Sequence, residues 1–167
     1  MREYLLLLPI IFIFHDMEEI VGFGWFFQKN QWLFDRYPKV TAMYRDSNET
    51  GWKLGVYEEF IPFFGLSLLA YYYPNNILYA VWIGFFIDLA AHFVIHIVFS
   101  IVIKQYIPSV ITSIICLPVS ILIIYRCCLL LTFDTVTVLF IIAGILIMIV
   151  NFAFLRWFIP FMSRKFA

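Results

Sequence analysis

Five stretches of this chain stay predominantly apolar for about 20 residues or more, the length of a membrane-crossing helix, and this limits the fold more than any other feature. They run Tyr4–Phe27, Lys53–Tyr73, Asn76–Ile103, Tyr106–Tyr125 and Thr135–Trp157. Hydrocarbon offers no hydrogen-bond partners, so each stretch must pair its own backbone groups, as a helix does. The expectation is an all-α fold: a polytopic membrane helix bundle with about five transmembrane helices. With 64% of residues hydrophobic and 13% charged, little remains to cover a soluble domain. Residues 1–167 read as a single integral membrane domain, and no basic patch points to nucleic acid.

Connections are short except Gln28–Trp52, the one sizeable polar loop. Pro9, Pro62 and Pro118 fall inside expected helices and predict kinks, which membrane helices tolerate. Trp25, Trp32, Trp52 and Trp157 fall near one membrane face, as an aromatic belt would. Arg2 and the apolar run that follows imitate a signal peptide, but His15, Asp16, Glu18 and Glu19 come next without a small-residue cleavage site, so retention is expected. Cys116, Cys127 and Cys128 have no metal-finger spacing and read as apolar filler. Nine of the eleven Lys and Arg lie at one end of the spans, and only Arg2 and Arg126 at the other. The positive-inside rule then places the N-terminus outside and the C-terminus in the cytoplasm, with the plasma membrane the expected location.

Ionisable residues inside the spans carry the functional signal. Asp16, Glu18, Glu19, Glu58, Glu59 and Asp88 lie there, with all three histidines, His15, His92 and His96. Each costs about 2.5–3.5 kcal/mol in hydrocarbon even on lenient insertion scales. No span cation except Arg156 is placed to pair them, so protons or a bound cation must neutralise the set. His15, Glu18 and Glu19 share one helical face, as do Asp88, His92 and His96. Counted at 1.5 Å per residue, all but the deeper Asp88 lie about 8–18 Å from the cation-rich end. Asn151 of the fifth span falls in the same layer. Asp16 lies off the shared face and reads as an interhelical hydrogen-bond partner. Imidazole and carboxylate from facing helices suit a divalent metal: zinc, iron or manganese. His15, Glu19, Glu58, His92 and His96 are the candidate ligands. Glu18, Glu19 and Glu59 are the candidate catalytic carboxylates.

His15-Asp16-Met17-Glu18-Glu19 resembles the motif of the HXXEE family of small integral membrane proteins. A second block of that family has a His, a small polar residue, a basic residue and Tyr-x-Pro-Gly. Here it reads His96, Ser100, Lys104 and Tyr106-Ile107-Pro108-Ser109, with Ser109 in place of the glycine. The resemblance covers about residues 5–155 and implies a site around His15, Glu18, Glu19 and His96, without a substrate. The chain lacks the Arg of CAAX-type intramembrane proteases, since Phe23 stands four positions after the paired glutamates. It shares with emopamil-binding-protein-like isomerases only architecture.

The leading expectation is a membrane-embedded enzyme acting on a lipidic substrate, its carboxylate serving as general base on a water that a divalent ion acidifies to a pKa of about 7. Its cavity should open toward the cytoplasmic half or sideways to lipid. A metal-free His/Glu proton shuttle is the other catalytic form. Two further classes are a proton or metal-ion transporter and a structural or accessory membrane protein. The lipid bilayer is the one partner the composition demands.

Overall fold

The computed structural model describes residues 1–166, and among them all regular structure is helical. Seven α-helices follow a single 3-10 turn: α1 (Leu7–Lys29), α2 (Trp32–Arg36), α3 (Pro38–Arg45), α4 (Glu49–Tyr72), α5 (Asn76–Ile103), α6 (Val110–Cys128) and α7 (Thr135–Lys165). The five expected spans correspond to α1, α4, α5, α6 and α7, of 19 to 31 residues. On length and composition α5, α6 and α7 qualify as membrane-crossing. Helices α1 and α4 have the length but carry the carboxylates.

Where boundaries differ from expectation, local chemistry accounts for the difference. Helix α5 spans the expected residues because Asn75 caps it, its Oδ1 accepting from Leu78 N at 2.9 Å. Helix α4 starts four residues before Lys53 because Asn48 is its cap, accepting from Gly51 N at 2.9 Å. Asn48 is also tied to α7: its N–H donates to Ser163 Oγ and its side-chain amide to Ser163 O, both at 3.0 Å. That tie holds α7 helical past Trp157, through Pro160, to Lys165. Helix α6 starts at Val110 rather than Tyr106, because Pro108 disfavours helix in the residue before it and Ser109 is left-handed at φ 77°. Pro9 is the third residue of α1, where no intrahelical N–H bond is lost. The polar loop carries α2 and α3, with Pro38 opening α3 at its first turn.

Contacts between helices set their directions. Trp82 Nε1 on α5 donates to Leu5 O, just before α1, and to Ser67 Oγ of α4. Farther along, Asn151 Nδ2 of α7 donates to Glu58 Oε2 of α4 at 3.2 Å. Thus α1, α5 and α7 run in one direction, and α4 and α6 in the other. Helices α5 and α7 approach closely, so that a Cβ on Gly84 would collide with the backbone at Ile141 and Gly144. Small residues allow such contact, on which membrane helices depend because lipid removes the hydrophobic drive between them. Two apolar cores result. One gathers Leu8, Phe12, Phe63 and Phe86 near the N-terminal halves of α1 and α5 and reaches Phe93 beside the histidines. The other gathers Phe23, Phe26, Phe27, Ile103 and Ile107 near their C-terminal ends. The ionisable residues lie between these cores.

Trp25, Trp32 and Trp157 are exposed, as a belt requires. Trp52 is half-buried and stacks on Tyr44 with ring centroids 4.5 Å apart.

Candidate metal centre

Helix periodicity places His15 and Glu19 one turn apart on α1, and His92 and His96 one turn apart on α5. The parallel packing of the two helices makes these pairs face each other. One ligand atom from each of the four residues lies within 4.8 Å of the other three. Glu19 Oε1 is the hub. It lies 2.9 Å from His96 Nε2 and 3.6 Å from both His15 Nε2 and His92 Nε2. His92 Nε2 and His96 Nε2 are 2.8 Å apart. Four ligands bound tetrahedrally at about 2.0–2.1 Å would lie about 3.3 Å from one another. The observed separations bracket that value.

The proton positions follow from the surrounding bonds. Thr112 Oγ1 donates to Glu18 Oε2 at 2.7 Å, in preference to the longer contact with Ser109 O at 3.2 Å. Its single proton is therefore used, and it accepts from His15 Nδ1–H at 3.1 Å. In the neutral ring His15 Nε2 then carries a lone pair. That nitrogen is fully buried, has no hydrogen-bond partner, and faces Glu19 Oε1, another acceptor. Two acceptors facing each other in a buried site need a proton or a metal ion between them, and the two further donor atoms around this point, from His92 and His96, suit the ion.

Residues 6–123 match the family of proteins of unknown function with an HXXEE motif. The chain belongs to the HXXEE family. No curated protein and no solved structure matches it. In this HXXEE protein the two glutamates of the motif have different surroundings. Glu19 joins the histidines and also accepts from Ser109 Oγ at 2.9 Å. Glu18 points to the start of α6. It accepts from Thr112 N at 2.8 Å, Thr112 Oγ1 at 2.7 Å and Tyr106 Oη at 2.7 Å. It thereby caps α6 from another helix, where the free N–H groups and the helix dipole favour an anion. Ser109, in the capping position itself, gives its hydroxyl to Glu19 instead. Tyr106 sits in the α5–α6 connection. Partial burial and its bond to the Glu18 carboxylate push its phenol up to about 12, so it remains a donor at ordinary pH.

Of the other expected site residues, Glu58 lies outside the four-residue group and pairs with Asn151. Glu59 and Asp16 line the cavity that reaches the centre. Asp16 is buried, so it faces inward despite its place off the shared stripe. Asp88, two turns before His96, is outside the group. Sequence reasoning missed Thr112 and Tyr44. A threonine in an apolar helix carries no signal of its own, whereas Tyr106 and Ser109 fell in the second family block.

Two cavities converge on Glu19. One, of about 380 Å³, is lined by the polar residues Gln28, Gln31, Ser47, Asn48 and Glu49 at the cation-rich end. The other, of about 630 Å³, is lined by residues of α1, α3, α4, α5 and α7, with an apolar wall from α5 and α7. Phe23, Phe27, Tyr44 and Trp52 line both and form an aromatic partition between them. Tyr44 stacks against Phe27 with centroids 4.3 Å apart.

Proposed function

We propose that this protein is a membrane-embedded enzyme whose His15, Glu19, His92 and His96 hold a divalent metal, zinc, iron or manganese, next to a lipid-accessible cavity. The observation that carries this reading is the convergence of four donor atoms within 4.8 Å, with His15 Nε2 buried and unpartnered facing the Glu19 carboxylate among two further imidazoles. When bound, the ion supplies Lewis acidity to a polar bond of the substrate. The protein's own residues do the rest. Thr112 and Glu18 hold the tautomer of His15, an arrangement that raises ligand basicity and fixes ring orientation. Glu59, on the wall of the larger cavity, is placed to accept a proton, with Asp16 beside the same space. The polar cavity offers water a route to Glu19, and the apolar cavity offers a lipidic substrate one.

The apolar core beyond the centre, from Leu8 and Phe12 to Phe86, supports a pocket closed at one end over a transport relay. A relay needs polar groups continuing to the far surface. The same reading places the protein in the plasma membrane, N-terminus outside, on the strength of the cation asymmetry.

Elemental analysis of the purified, detergent-solubilised chain tests the proposal. About one divalent ion per chain is expected in the wild type, with the content lost in Glu19→Ala and His96→Ala. A folded wild-type protein that holds no ion after incubation with zinc, iron(II) and manganese, each in turn, overturns it.

A further inference from the structure

The larger cavity carries information about what enters it. Helix α5 contributes Val94, Ile95, Val98 and Val102 to its wall, and helix α7 contributes Phe152, Leu155 and Ile159. Val94, Ile95, Val98, Val102 and Phe152 are also exposed. Both helices are apolar enough to cross a membrane, so an exposed wall between them faces hydrocarbon rather than water. The packing explains the opening. Helices α5 and α7 touch closely at Gly84 and Gly144, whereas farther along α7 lies against α4, with Ile159 over Gly55 and Ser163 over Gly51. The two helices thus diverge below their glycine contact and leave a lateral cleft.

Two cations line this space away from its ionisable inner end. Arg156 follows Leu155 on α7, and Lys39 comes from α3. Both are exposed, and among the described residues neither has a carboxylate within ion-pair distance. An arginine at this position in a long apolar helix favours an anion beside it. The carboxylates that share the cavity, Asp16, Glu19 and Glu59, sit with His92 and His96 at its inner end. That leaves Lys39 and Arg156 as the side chains of this cavity that carry an unpaired positive charge.

We infer that the cleft between α5 and α7 admits a membrane lipid with a phosphate headgroup, the phosphate seated between Lys39 and Arg156 and an acyl or prenyl chain lying against Val94, Val98 and Phe152. The inference names the substrate class for the proposed centre and rests on that reading only for the chemistry, since binding itself does not require the metal. Bidentate geometry suits Arg156 to phosphate, and Lys39 adds a second charge from a separate element. The uncharged part of the lipid next to its headgroup is then the part that reaches His92, His96 and Glu19.

Native mass spectrometry of the full chain in a neutral detergent tests this, with phosphatidylglycerol and a diacylglycerol of the same chains as probes. Phosphatidylglycerol should bind about tenfold or more tightly than diacylglycerol, since each basic residue near a lipid phosphate contributes about 1 kcal/mol. The double variant Lys39→Ala/Arg156→Ala should erase that preference, whereas Lys29→Ala/Lys165→Ala, away from the cleft, should keep it. Val98→Trp should weaken both lipids by filling the wall. Inorganic phosphate should not displace the lipid. Equal binding of the two lipids, a preference that survives the double variant, or displacement by inorganic phosphate overturns the inference. Repeating the titration on chelator-treated protein and on His96→Ala separates the two proposals: lipid binding without metal binding refutes the centre alone, and metal binding without lipid preference refutes the cleft alone.

Discussion

His15 Nδ1 and Thr112 Oγ1, 97 positions apart in the chain, lie 3.1 Å from each other in the buried layer between α1 and α6. Through this bond Thr112 sets which nitrogen of His15 is free to bind a cation, while its own proton goes to Glu18.

Replacing Thr112 by valine removes the acceptor but preserves the shape. Metal affinity, measured by competition with a chromophoric chelator, should fall about 10–100-fold, the usual cost of losing such a supporting bond. Wild-type affinity in Thr112→Val would mean that the hydroxyl does not orient the ring.

Glu18 and Glu19 are adjacent in sequence but should fail differently. Glu18→Ala removes the acceptor of three hydrogen bonds at the start of α6 and should lower unfolding free energy by about 2–4 kcal/mol, with metal still bound at saturating concentration. Glu19→Gln should leave the unfolding midpoint of metal-free protein near wild type and reduce metal binding. Chemical unfolding in detergent beside elemental analysis separates the two. Identical behaviour of the variants would contradict the division of roles.

Ser109 holds φ at 77°, a conformation that costs a side-chain-bearing residue about 1–2 kcal/mol. Ser109→Gly relieves this and loses the bond to Glu19, so the two effects should nearly cancel. Ser109→Ala keeps the strain and loses the bond, and should be less stable than Ser109→Gly by about 1 kcal/mol. The reverse order in thermal unfolding would remove the backbone argument.

Gly84 and Gly144 meet backbone to backbone, so neither neighbour can yield by rotating a side chain. Gly84→Val and Gly144→Val should each destabilise by at least about 1–3 kcal/mol, the cost of overpacking a tight contact. Gly65→Ala is the control, since a Cβ there meets nothing within 4 Å. If the control and the valine variants unfold together, the α5–α7 contact is not what holds these helices.

Orientation is checked by labelling intact cells with a membrane-impermeant maleimide, in a Cys128→Ser background. Tyr73→Cys, in the α4–α5 connection, should react from outside, and Asp46→Cys only after permeabilisation. Both side chains are exposed. The Asn48-Glu49-Thr50 glycosylation sequence is a poor reporter here, because the Asn48 amide is bonded to Ser163 O. Labelling of Asp46→Cys in sealed cells would reverse the topology.

Apolar length alone determined that the chain is a helical membrane bundle, because runs of about 20 apolar residues match a spanning helix and are about twice the length of a barrel strand. Spacing alone placed His15 with Glu19 and His92 with His96, since residues one turn apart must share a face. The second family block pointed to Tyr106 and Ser109 without giving their partners. Tertiary structure decided the rest. Periodicity defines a face on one helix but not the rotation of its neighbour, so Glu58 against Asn151 and Glu59 at the cavity could not be told apart in advance. Nor could Glu18 and Glu19: their side chains diverge by about 100° around α1, and only the packing of α5 and α6 on either side of that helix assigned one to the α6 terminus and the other to the histidines.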